Sequence, residues 1–463
     1  MRSSFLFFLF FSFFQTLSAQ SGHEIKVKLD GFEEDVLYLA YHYGSKQFVK
    51  DTVYRATDDT FTFKRQNESL EPGMYMIVIP PENQFLELLI TAEEQYFSLS
   101  ASLDDLVGTV TFQGDAEENR VFYRYLNFLN TQRAKVTASN EDDSGQSSES
   151  EKEALRSQVD KEVRDYQNRL TIEYPKRFTT ALVKANLPID YTALTDDSDS
   201  AKLRYTQDHI FDQLDLNDDR LIRTALLEEK VNYFTDKLHL QRPQDVIPAI
   251  DRVLSLMNPE GENFKYFTIH FLNKYANSKI VGMDEVYVHI AQTYYGKGLA
   301  PWVAPDVLEK ILNNAARIEP LLIGKIAPDL NLETRGGIAV DLHDIESEFT
   351  VLYFWRNDCK SCEKEAPNLQ EFYKNFKDEG VKIAAICVNK GTDVAGCWDY
   401  ADENNYNDWI HLADPNEKSD MWRTYDLIGT PIIYLLDKEK KIISKRISAS
   451  QLGEVVDFEL EKK

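Results

Sequence analysis

The sequence predicts a multidomain α+β protein with an N-terminal antiparallel β domain, a central α-helical domain and a C-terminal α/β domain. Three observations lead to this fold class. The chain has 463 residues, the length of about three average domains. The spacing of apolar residues changes from two to a helical period near Asp115. From Ile326 onwards, candidate strands alternate with candidate helices, as they do in α/β domains.

Charge and composition narrow the classes of function. Apolar residues make up 43% of the chain and charged residues 28%, which is typical of a globular protein with buried cores. The 52 basic and 77 acidic side chains give a net charge of −25. Because so negative a surface repels phosphate groups, we expect neither nucleic acid nor an anionic membrane surface as the primary partner.

Residues 1–20 have the pattern of a secretory signal peptide. Arg2 precedes an apolar run over residues 5–14, and a polar segment follows in which we expect cleavage after Ala19. The alternative interpretation is a buried N-terminal helix. The run is too short to span a bilayer, and no later segment is long and apolar enough to do so. We therefore expect an exported mature chain without an integral membrane span.

Residues 21–115 predict a β-rich, sandwich-like domain. Apolar residues alternate in four short runs, which are Ile25, Val27 and Leu29; Phe61 and Phe63; Tyr75, Ile77 and Ile79; and Phe97 and Leu99. Turn sequences such as Asp30-Gly31 and Glu71-Pro72-Gly73 separate the runs, which is typical of an antiparallel sandwich. No catalytic constellation stands out in this range.

Residues 116–322 predict an α-helical domain. Helical spacing of apolar residues recurs over residues 121–129, 155–170, 203–214, 221–240, 246–257, 264–275 and 307–318. Residues 138–151 are rich in Ser, Asp and Glu and have no apolar face, so they predict a mobile acidic loop.

Residues 323–463 predict a mixed sheet with helices on both faces. Strands are expected over residues 349–355, 381–388, 409–412, 432–436 and 441–447, and helices over residues 359–377 and 393–404. An amphipathic helix carrying Leu452 and Val456 closes the chain.

Two cysteines in the sequence Cys359-Lys360-Ser361-Cys362 lie where a buried strand meets a helix. Their i, i+3 spacing places both sulfurs on one helical face, within reach of a disulfide. Cys359, at the helix start, is favoured as a thiolate by unpaired backbone N–H groups and the helix dipole. Cys362 lies one turn further in and is better placed to resolve a mixed disulfide. The charge of Lys360 would lower the pKa of the Cys359 thiol further, whereas the charge of Asp358 would raise it.

Three other interpretations of this pair compete with redox exchange, which we favour. A structural disulfide usually closes a longer loop and needs no helix start. A zinc site needs four ligands, and no second Cys-x-x-Cys or His pair accompanies this one. A peroxidatic cysteine would be preceded three residues earlier by Thr, where this chain has Arg356.

The two remaining cysteines allow two interpretations. Cys387 fits a buried strand position, where a free cysteine behaves as a small apolar residue. Cys397 lies beside Trp398 in the predicted helical insertion. A bridge between Cys387 and Cys397 remains open, since an oxidising compartment permits it.

Five motifs of the C-terminal domain carry a family resemblance, and they are Lys325-Ile326-Ala327-Pro328-Asp329-Leu330, Phe354-Trp355, Cys359-Lys360-Ser361-Cys362, Glu365-Ala366-Pro367 and Gly429-Thr430-Pro431. With these motifs, residues 326–463 resemble the thioredoxin-fold domain of the TlpA/ResA-like thiol–disulfide oxidoreductases. The resemblance implies a thioredoxin-like domain in an exported bacterial enzyme. The preceding part of the chain more weakly resembles uncharacterised β-rich and helical domains found ahead of such modules in exported Gram-negative proteins.

The resemblance also implies the catalytic candidates Cys359, Cys362 and Glu365. Glu365 matches a partly buried carboxylate that helps to move the proton of the inner cysteine, and the alternative is an exposed helix residue. Asp358 is a departure, because the family usually has tryptophan at this position. The redox-active group would be the Cys359–Cys362 disulfide itself, with no other cofactor and no metal.

The substrate-binding candidates implied by the resemblance are Thr430, Pro431 and Trp355. Pro431 matches a cis-proline that faces the disulfide, and a cis bond needs proline. The backbone of Thr430 matches the segment that pairs with the substrate chain.

The predicted function is disulfide exchange with proteins of the periplasm or cell envelope of a Gram-negative bacterium. By analogy a reductase is favoured over an oxidant, with an upstream thiol as the electron donor. The alternative function is a binding or scaffolding protein in which the thioredoxin-like module docks partners without turnover.

Overall fold

The computed structural model describes residues 22–140 and 148–462. The predicted signal peptide lies outside the described residues. The chain forms two compact units, one ending at Val231 and the other beginning at Asn232. This boundary falls within the range predicted as one helical domain, and the division into three domains stays a prediction.

The first unit begins with two four-stranded sheets, in the orders β4-β1-β7-β8 and β3-β2-β5-β6. Their strands are β1 (His23–Asp30), β2 (Val36–Tyr43), β3 (Lys46–Tyr54), β4 (Phe61–Arg65), β5 (Gly73–Ile79), β6 (Gln84–Ile90), β7 (Tyr96–Ser102) and β8 (Thr111–Gly114). Each of the four runs of alternating apolar residues lies in one of these strands. Ile25 pairs with Phe63 and Val27 with Phe61, and all four side chains are fully buried. The period of two thus identifies the inner face of the sheet.

One strand pair departs from the predicted antiparallel arrangement. β1 and β7 run parallel, whereas the other pairs in the two sheets are antiparallel. A parallel pair needs a long crossover connection. The strands β2 to β6, most of which build the other sheet, supply this connection.

Helices follow the sheets and continue across the boundary between the units. They are α1 (Leu106–Thr109), α2 (Glu117–Asn140), α3 (Glu149–Glu173), α4 (Phe178–Ala185), α5 (Asp199–His209) and α6 (Ala225–Lys237). The predicted bounds of the acidic loop, residues 138–151, are wrong at both ends, because α2 includes the first three residues and α3 the last three. Residues 141–147 lie outside the described residues.

A capping box explains why α3 starts within the acidic segment. The Ser148 N–H donates to Glu151 Oε2 at 2.7 Å, and the Glu151 N–H donates to Ser148 Oγ at 3.3 Å. Acidic residues in a first turn also interact favourably with the helix dipole. The Ser and Glu residues at 148–151, whose composition predicted a loop, therefore form the start of α3.

The second unit contains a helical segment and a seven-stranded sheet with the order β10-β9-β13-β12-β11-β14-β15. Its strands are β9 (Asn331–Glu333), β10 (Ala339–Asp341), β11 (Phe349–Trp355), β12 (Val381–Cys387), β13 (Ile410–Ala413), β14 (Ile432–Asp437) and β15 (Ile442–Lys445). Its helices are α7 (Pro243–Ser255), α8 (Glu262–Ala276), α9 (Asp284–Ile290), α10 (Pro305–Ile318), α11 (Lys360–Phe376), α12 (Ala395–Glu403), α13 (Met421–Thr424) and α14 (Ala449–Glu461).

The strand β11 lies in the interior of this sheet, and its seven residues are all buried. It pairs in parallel with β12 and antiparallel with β14, so the sheet is mixed, as the alternation of strands and helices predicts. In the described residues, no helix combines the length and the apolar character that crossing a membrane requires.

The chain between α10 and the sheet binds the edge strand β15. The Gly324 N–H donates to Ile442 O, and the Ile442 N–H donates to Lys325 O, both at 2.8 Å. Lys445 Nζ donates to Leu321 O at 2.6 Å and forms an ion pair with Asp284 at the start of α9. Burial lowers the pKa of Lys445, and the charge of Asp284 opposes that shift. The helical segment therefore protects a sheet edge.

Replacing Asp284 by alanine should destabilise the second unit. Asp284→Ala leaves the buried Lys445 ammonium without its counter-charge, and we expect a loss of about 2–3 kcal/mol in the free energy of unfolding. The loss lies below that of a fully buried pair because the Asp284 side chain is 30% exposed. Urea unfolding followed by tryptophan fluorescence measures it, since all five tryptophans lie between residues 302 and 422.

The matched control is Lys310→Ala, which removes one partner of a solvent-exposed ion pair on α10. It should change the same free energy by no more than about 0.5 kcal/mol. Equal stabilities of the two variants would contradict a stabilising role for the Lys445–Asp284 pair.

Candidate active site

The two cysteines of the Cys-x-x-Cys motif lie at the N-terminus of α11. Cys359 is the N-cap residue, and its Sγ accepts a hydrogen bond from the Cys362 N–H at 3.2 Å. A disulfide joins the two residues, whose Cα atoms are 5.2 Å apart. The Cys359 side chain is half-buried, whereas Cys362 is only 1% exposed. An incoming group can therefore reach the outer sulfur while the inner one is shielded.

The position of Cys359 follows from the elements on either side. The buried strand β11 ends at Trp355, and α11 begins at Lys360, so a short segment carries the chain to the helix start. Unpaired N–H groups and the positive end of the helix dipole meet there and favour negative charge on a sulfur. Such surroundings are typical of reactive cysteines.

Thr430 and Pro431 lie next to the outer cysteine. Thr430 O is 3.4 Å from Cys359 Sγ, and the Thr430–Pro431 peptide bond is cis. β14 begins directly afterwards, where Ile432 pairs with Phe354 of β11. The sheet thus brings together two segments that lie far apart in the sequence.

Glu365 is a half-buried residue on α11 that contacts another helix. Its Oε1 accepts a hydrogen bond from the N–H of Ala449, the first residue of α14. The carboxylate thus satisfies one of the unpaired donors at that helix start. This contact orients Glu365 towards α14, and neither of its two sequence-based interpretations anticipates it.

Trp355 is buried beneath the site. Only 3% of the residue is exposed, and its ring lies parallel to that of Tyr353 with centroids 6.1 Å apart. Tyr400 packs beside it at 5.5 Å. The structure shows Trp355 packed against Tyr353 and Tyr400, and its role in substrate binding stays a prediction.

Tyr353 is a residue of the site that the sequence interpretation did not single out. Its hydroxyl donates to Cys362 O at 3.0 Å. Burial, and then the charge of Glu365, raise the pKa of Tyr353, so the hydroxyl keeps its proton and remains a donor. The sequence could have indicated Tyr353, because its hydroxyl lies in a mostly apolar strand and a buried tyrosine hydroxyl usually has a hydrogen-bond partner.

An ion pair flanks Cys359 on its N-terminal side. Arg356 Nε donates to Asp358 Oδ1 at 2.8 Å, and Arg356 Nη2 donates to Asp358 Oδ2 at 2.6 Å. These hydrogen bonds lower the pKa of the Asp358 carboxyl. A negative charge therefore precedes the outer cysteine at every pH near neutrality.

A second disulfide joins Cys387 at the end of β12 to Cys397 in α12. Both residues are fully buried, which confirms the buried strand position predicted for Cys387. The interpretation of Cys387 as a free cysteine is wrong, because the bridge that was left open is formed. Cys397 Sγ lies 3.9 Å from Asn357 Oδ1, which accepts a hydrogen bond from Asn389 Nδ2 at 2.6 Å. The bridge thus packs against the segment that leads to Cys359.

Within the two described ranges, no group of three His, Cys, Asp or Glu side chains is arranged to hold a metal ion.

Replacing Asp358 by asparagine should make reduced Cys359 more reactive. The change removes a negative charge beside the sulfur and leaves the Arg356 guanidinium without its counter-charge, and both effects favour the thiolate. A neighbouring charge in water contributes about 1 kcal/mol, which is about fivefold in the thiolate fraction, so we expect alkylation of Cys359 at neutral pH to be up to about fivefold faster. Iodoacetamide labelling followed by mass spectrometry measures this rate.

The matched control for this variant is Glu371→Gln, which removes an exposed charge on the same helix. It lies three turns from Cys359, beyond the screening length at physiological salt, and should leave the rate unchanged. A rate for Asp358→Asn equal to or below that of the unmodified protein would show that Asp358 does not restrain the thiolate.

Comparison with known proteins matches two separate ranges of the chain to two different families. Residues 323–445 match the AhpC/TSA family, and residues 136–317 match a domain of unknown function, DUF5106. A solved thiol:disulfide interchange protein from Bacteroides sp. is 28% identical, with a TM-score of 0.27 over 29% of this chain and 88% of that one.

Two relatives carry the assignment to a family. The thiol-disulfide oxidoreductase ResA of Bacillus thuringiensis is 31% identical over 147 residues, which are 31% of this chain and 80% of that protein. ResA of Bacillus subtilis is 30% identical over 125 residues, which are 27% of this chain and 67% of that protein. The resemblance seen in the motifs around Cys359 is thereby confirmed, and the chain belongs to the ResA family of thiol-disulfide oxidoreductases.

Proposed function

We propose that this protein is an exported thiol–disulfide oxidoreductase that reduces disulfides in proteins of the cell envelope. The observation that carries the proposal is the half-buried Cys359 sulfur at the start of α11, 3.4 Å from the Thr430 carbonyl. The names of the relatives support disulfide-containing substrates for this chain as well.

The proposed reaction starts from the reduced protein. The Cys359 thiolate attacks one sulfur of a substrate disulfide, that S–S bond breaks, and a mixed disulfide forms while the first substrate thiolate leaves and takes up a proton. Cys362 then loses its proton and attacks the Cys359 sulfur. This step forms the Cys359–Cys362 disulfide and releases the second substrate thiol, so two electrons have passed to the substrate.

The burial of the two sulfurs supports this division of roles. The attacking sulfur must meet a protein-sized substrate, and of the two cysteines Cys359 has the accessible side chain. Cys362 is 1% exposed and meets only the mixed disulfide formed beside it. An upstream thiol donor completes the cycle by reducing the disulfide again.

Glu365 is proposed to take the proton from Cys362 and return it. Its place one turn beyond Cys362 on α11 supports this role, and the hydrogen bond from the Ala449 N–H orients the carboxylate. The Thr430 backbone is proposed to pair with the substrate chain, and Pro431 is proposed to hold that backbone against the disulfide.

Two features support a periplasmic or envelope location. Residues 1–20 have the pattern of a signal peptide. The buried Cys387–Cys397 bridge is an independent feature, because disulfides form and persist mainly in oxidising compartments. Envelope proteins with disulfides are the proposed partners.

Trapping tests the roles of the two cysteines. A Cys362→Ser variant should accumulate mixed disulfides with client proteins, because nothing resolves the bond to Cys359. The matched Cys359→Ser variant should accumulate none. Non-reducing gels followed by mass spectrometry count the trapped species, and equal trapping by both variants would contradict the assignment.

The midpoint potential tests the direction of electron flow. In graded thiol/disulfide buffers, alkylation should show Cys359 and Cys362 changing together, with a midpoint near or below about −250 mV for a reductase. Cys387 and Cys397 should stay unlabelled until the protein unfolds, because both sulfurs are fully buried. A midpoint near about −120 mV would instead indicate an oxidant.

If the Cys359–Cys362 pair forms no reversible disulfide in this titration, the enzymatic proposal fails. The binding or scaffolding function is then the remaining one.

A further inference from the structure

The loop of residues 425–431, which presents Thr430, is anchored by the buried carboxylate of Asp426. Asp426 stands four residues before Thr430 and is 6% exposed. Arg446, which directly follows β15, donates from Nη2 to Asp426 Oδ2 at 2.5 Å and to Asp426 O at 3.0 Å. The Arg446 N–H donates to Ile433 O of β14 at 2.7 Å. Arg446 thus ties the loop to the strand that the loop enters.

The second oxygen of the same carboxylate binds the helical segment. Arg317, near the end of α10, places its Nε 2.7 Å from Asp426 Oδ1. Arg317 Nη2 donates to Asn314 Oδ1 of the same helix at 2.6 Å, which orients the guanidinium. Each oxygen of Asp426 is therefore paired with a different arginine, and one of these arginines precedes the thioredoxin-like domain in the sequence.

The tip of the loop has few contacts of its own. Ile428 is 78% exposed and Gly429 is exposed, whereas Leu427 is buried and its N–H donates to Trp422 O at 2.9 Å. On the other side, Ile432 joins β14. The position of the Thr430 carbonyl therefore depends on the anchors at the two ends of this short exposed tip.

We propose that Asp426 is a positioning residue that sets the Thr430 carbonyl against Cys359, and that Arg317 makes α10 part of the redox site. The inference rests on the proposed function, since Thr430 matters only if it pairs with a substrate chain. Charge-assisted hydrogen bonds to both oxygens hold the carboxylate in one geometry. Loss of the bond from α10 leaves the Asp426 carboxylate paired with Arg446 alone and widens the range of positions that Thr430 can take.

The consequence depends on the substrate. A protein disulfide uses the Thr430 backbone to align its chain with Cys359, so its reaction requires the loop geometry. A small aromatic disulfide has no chain to align and needs only the accessible Cys359 sulfur. If Asp426 and Arg317 position Thr430, their replacement should slow the reduction of protein disulfides and leave that of small disulfides unchanged.

The experiment compares Arg317→Gln with the unmodified full-length protein, each fully reduced beforehand and used in a single turnover, on two substrates, insulin and 5,5′-dithiobis(2-nitrobenzoate). For insulin, we expect the second-order rate constant to fall about tenfold, less than the roughly 100-fold loss for a 1 Å misplacement, because Arg446 still holds Asp426. For the small disulfide, we expect the rate constant to stay within about twofold. Arg317→Lys, which keeps the charge, should recover part of the insulin activity.

Two further variants complete the design. Lys310→Gln alters an exposed residue of the same helix and should leave both rates unchanged. Asp426→Asn keeps the size of the side chain but removes the negative charge that pairs with both arginines. Its selective loss of activity on insulin should therefore exceed that of Arg317→Gln. Because the Arg317 side chain is 42% exposed, Asp426→Asn leaves no buried unpaired charge on α10.

The outcomes separate the two proposals. If the unmodified protein reduces both substrates and Arg317→Gln loses neither activity, or loses both equally, the positioning role is overturned and the proposed function stands. An equal loss together with a lower unfolding temperature identifies a purely structural contact. If the unmodified protein reduces neither substrate, the proposed function falls and the positioning role falls with it.

Discussion

The site depends on one interaction at the start of α11, where the Cys359 sulfur accepts the Cys362 N–H at 3.2 Å. It places the outer sulfur at the positive end of a helix, where negative charge is favoured. The same geometry buries Cys362 behind it. This arrangement requires the buried strand β11 to stop close before the helix begins. β11 is buried along its whole length because β12 and β14 pair with its edges and an apolar cluster covers each face.

The three residues between β11 and Cys359 each have their own restraint. Arg356 and Asp358 hold each other through two hydrogen bonds, while Asn357 binds Asn389 and packs against Cys397 of the second disulfide. A segment of this kind would otherwise be free to move, since it belongs to no strand or helix. Its restraint means that the attacking sulfur is held from both sides, by the segment before it and by the helix after it.

The thioredoxin-like domain is also bound to the helices before it. Lys445 pairs with Asp284 of α9, and Arg317 of α10 pairs with Asp426 near the Thr430 loop. These contacts lie within one compact unit and give the helical segment a direct connection to the redox site. In the first unit, by contrast, alternation predicts four of the eight strands, and the parallel pair β1–β7 becomes visible only when the path of the chain is known.

The features that can be recognised in the sequence are local ones. The apolar run of β11, the Cys-x-x-Cys at the helix start and the period of two in the first sheets are visible because each involves residues within one or two turns or strands of one another. The remaining contacts of the site come from the tertiary structure. It placed Thr430 beside Cys359, turned Glu365 towards Ala449, buried Trp355 and joined Asp426 to α10. These contacts link residues far apart in the chain, and their geometry depends on how the sheet orders its strands, which no local pattern encodes.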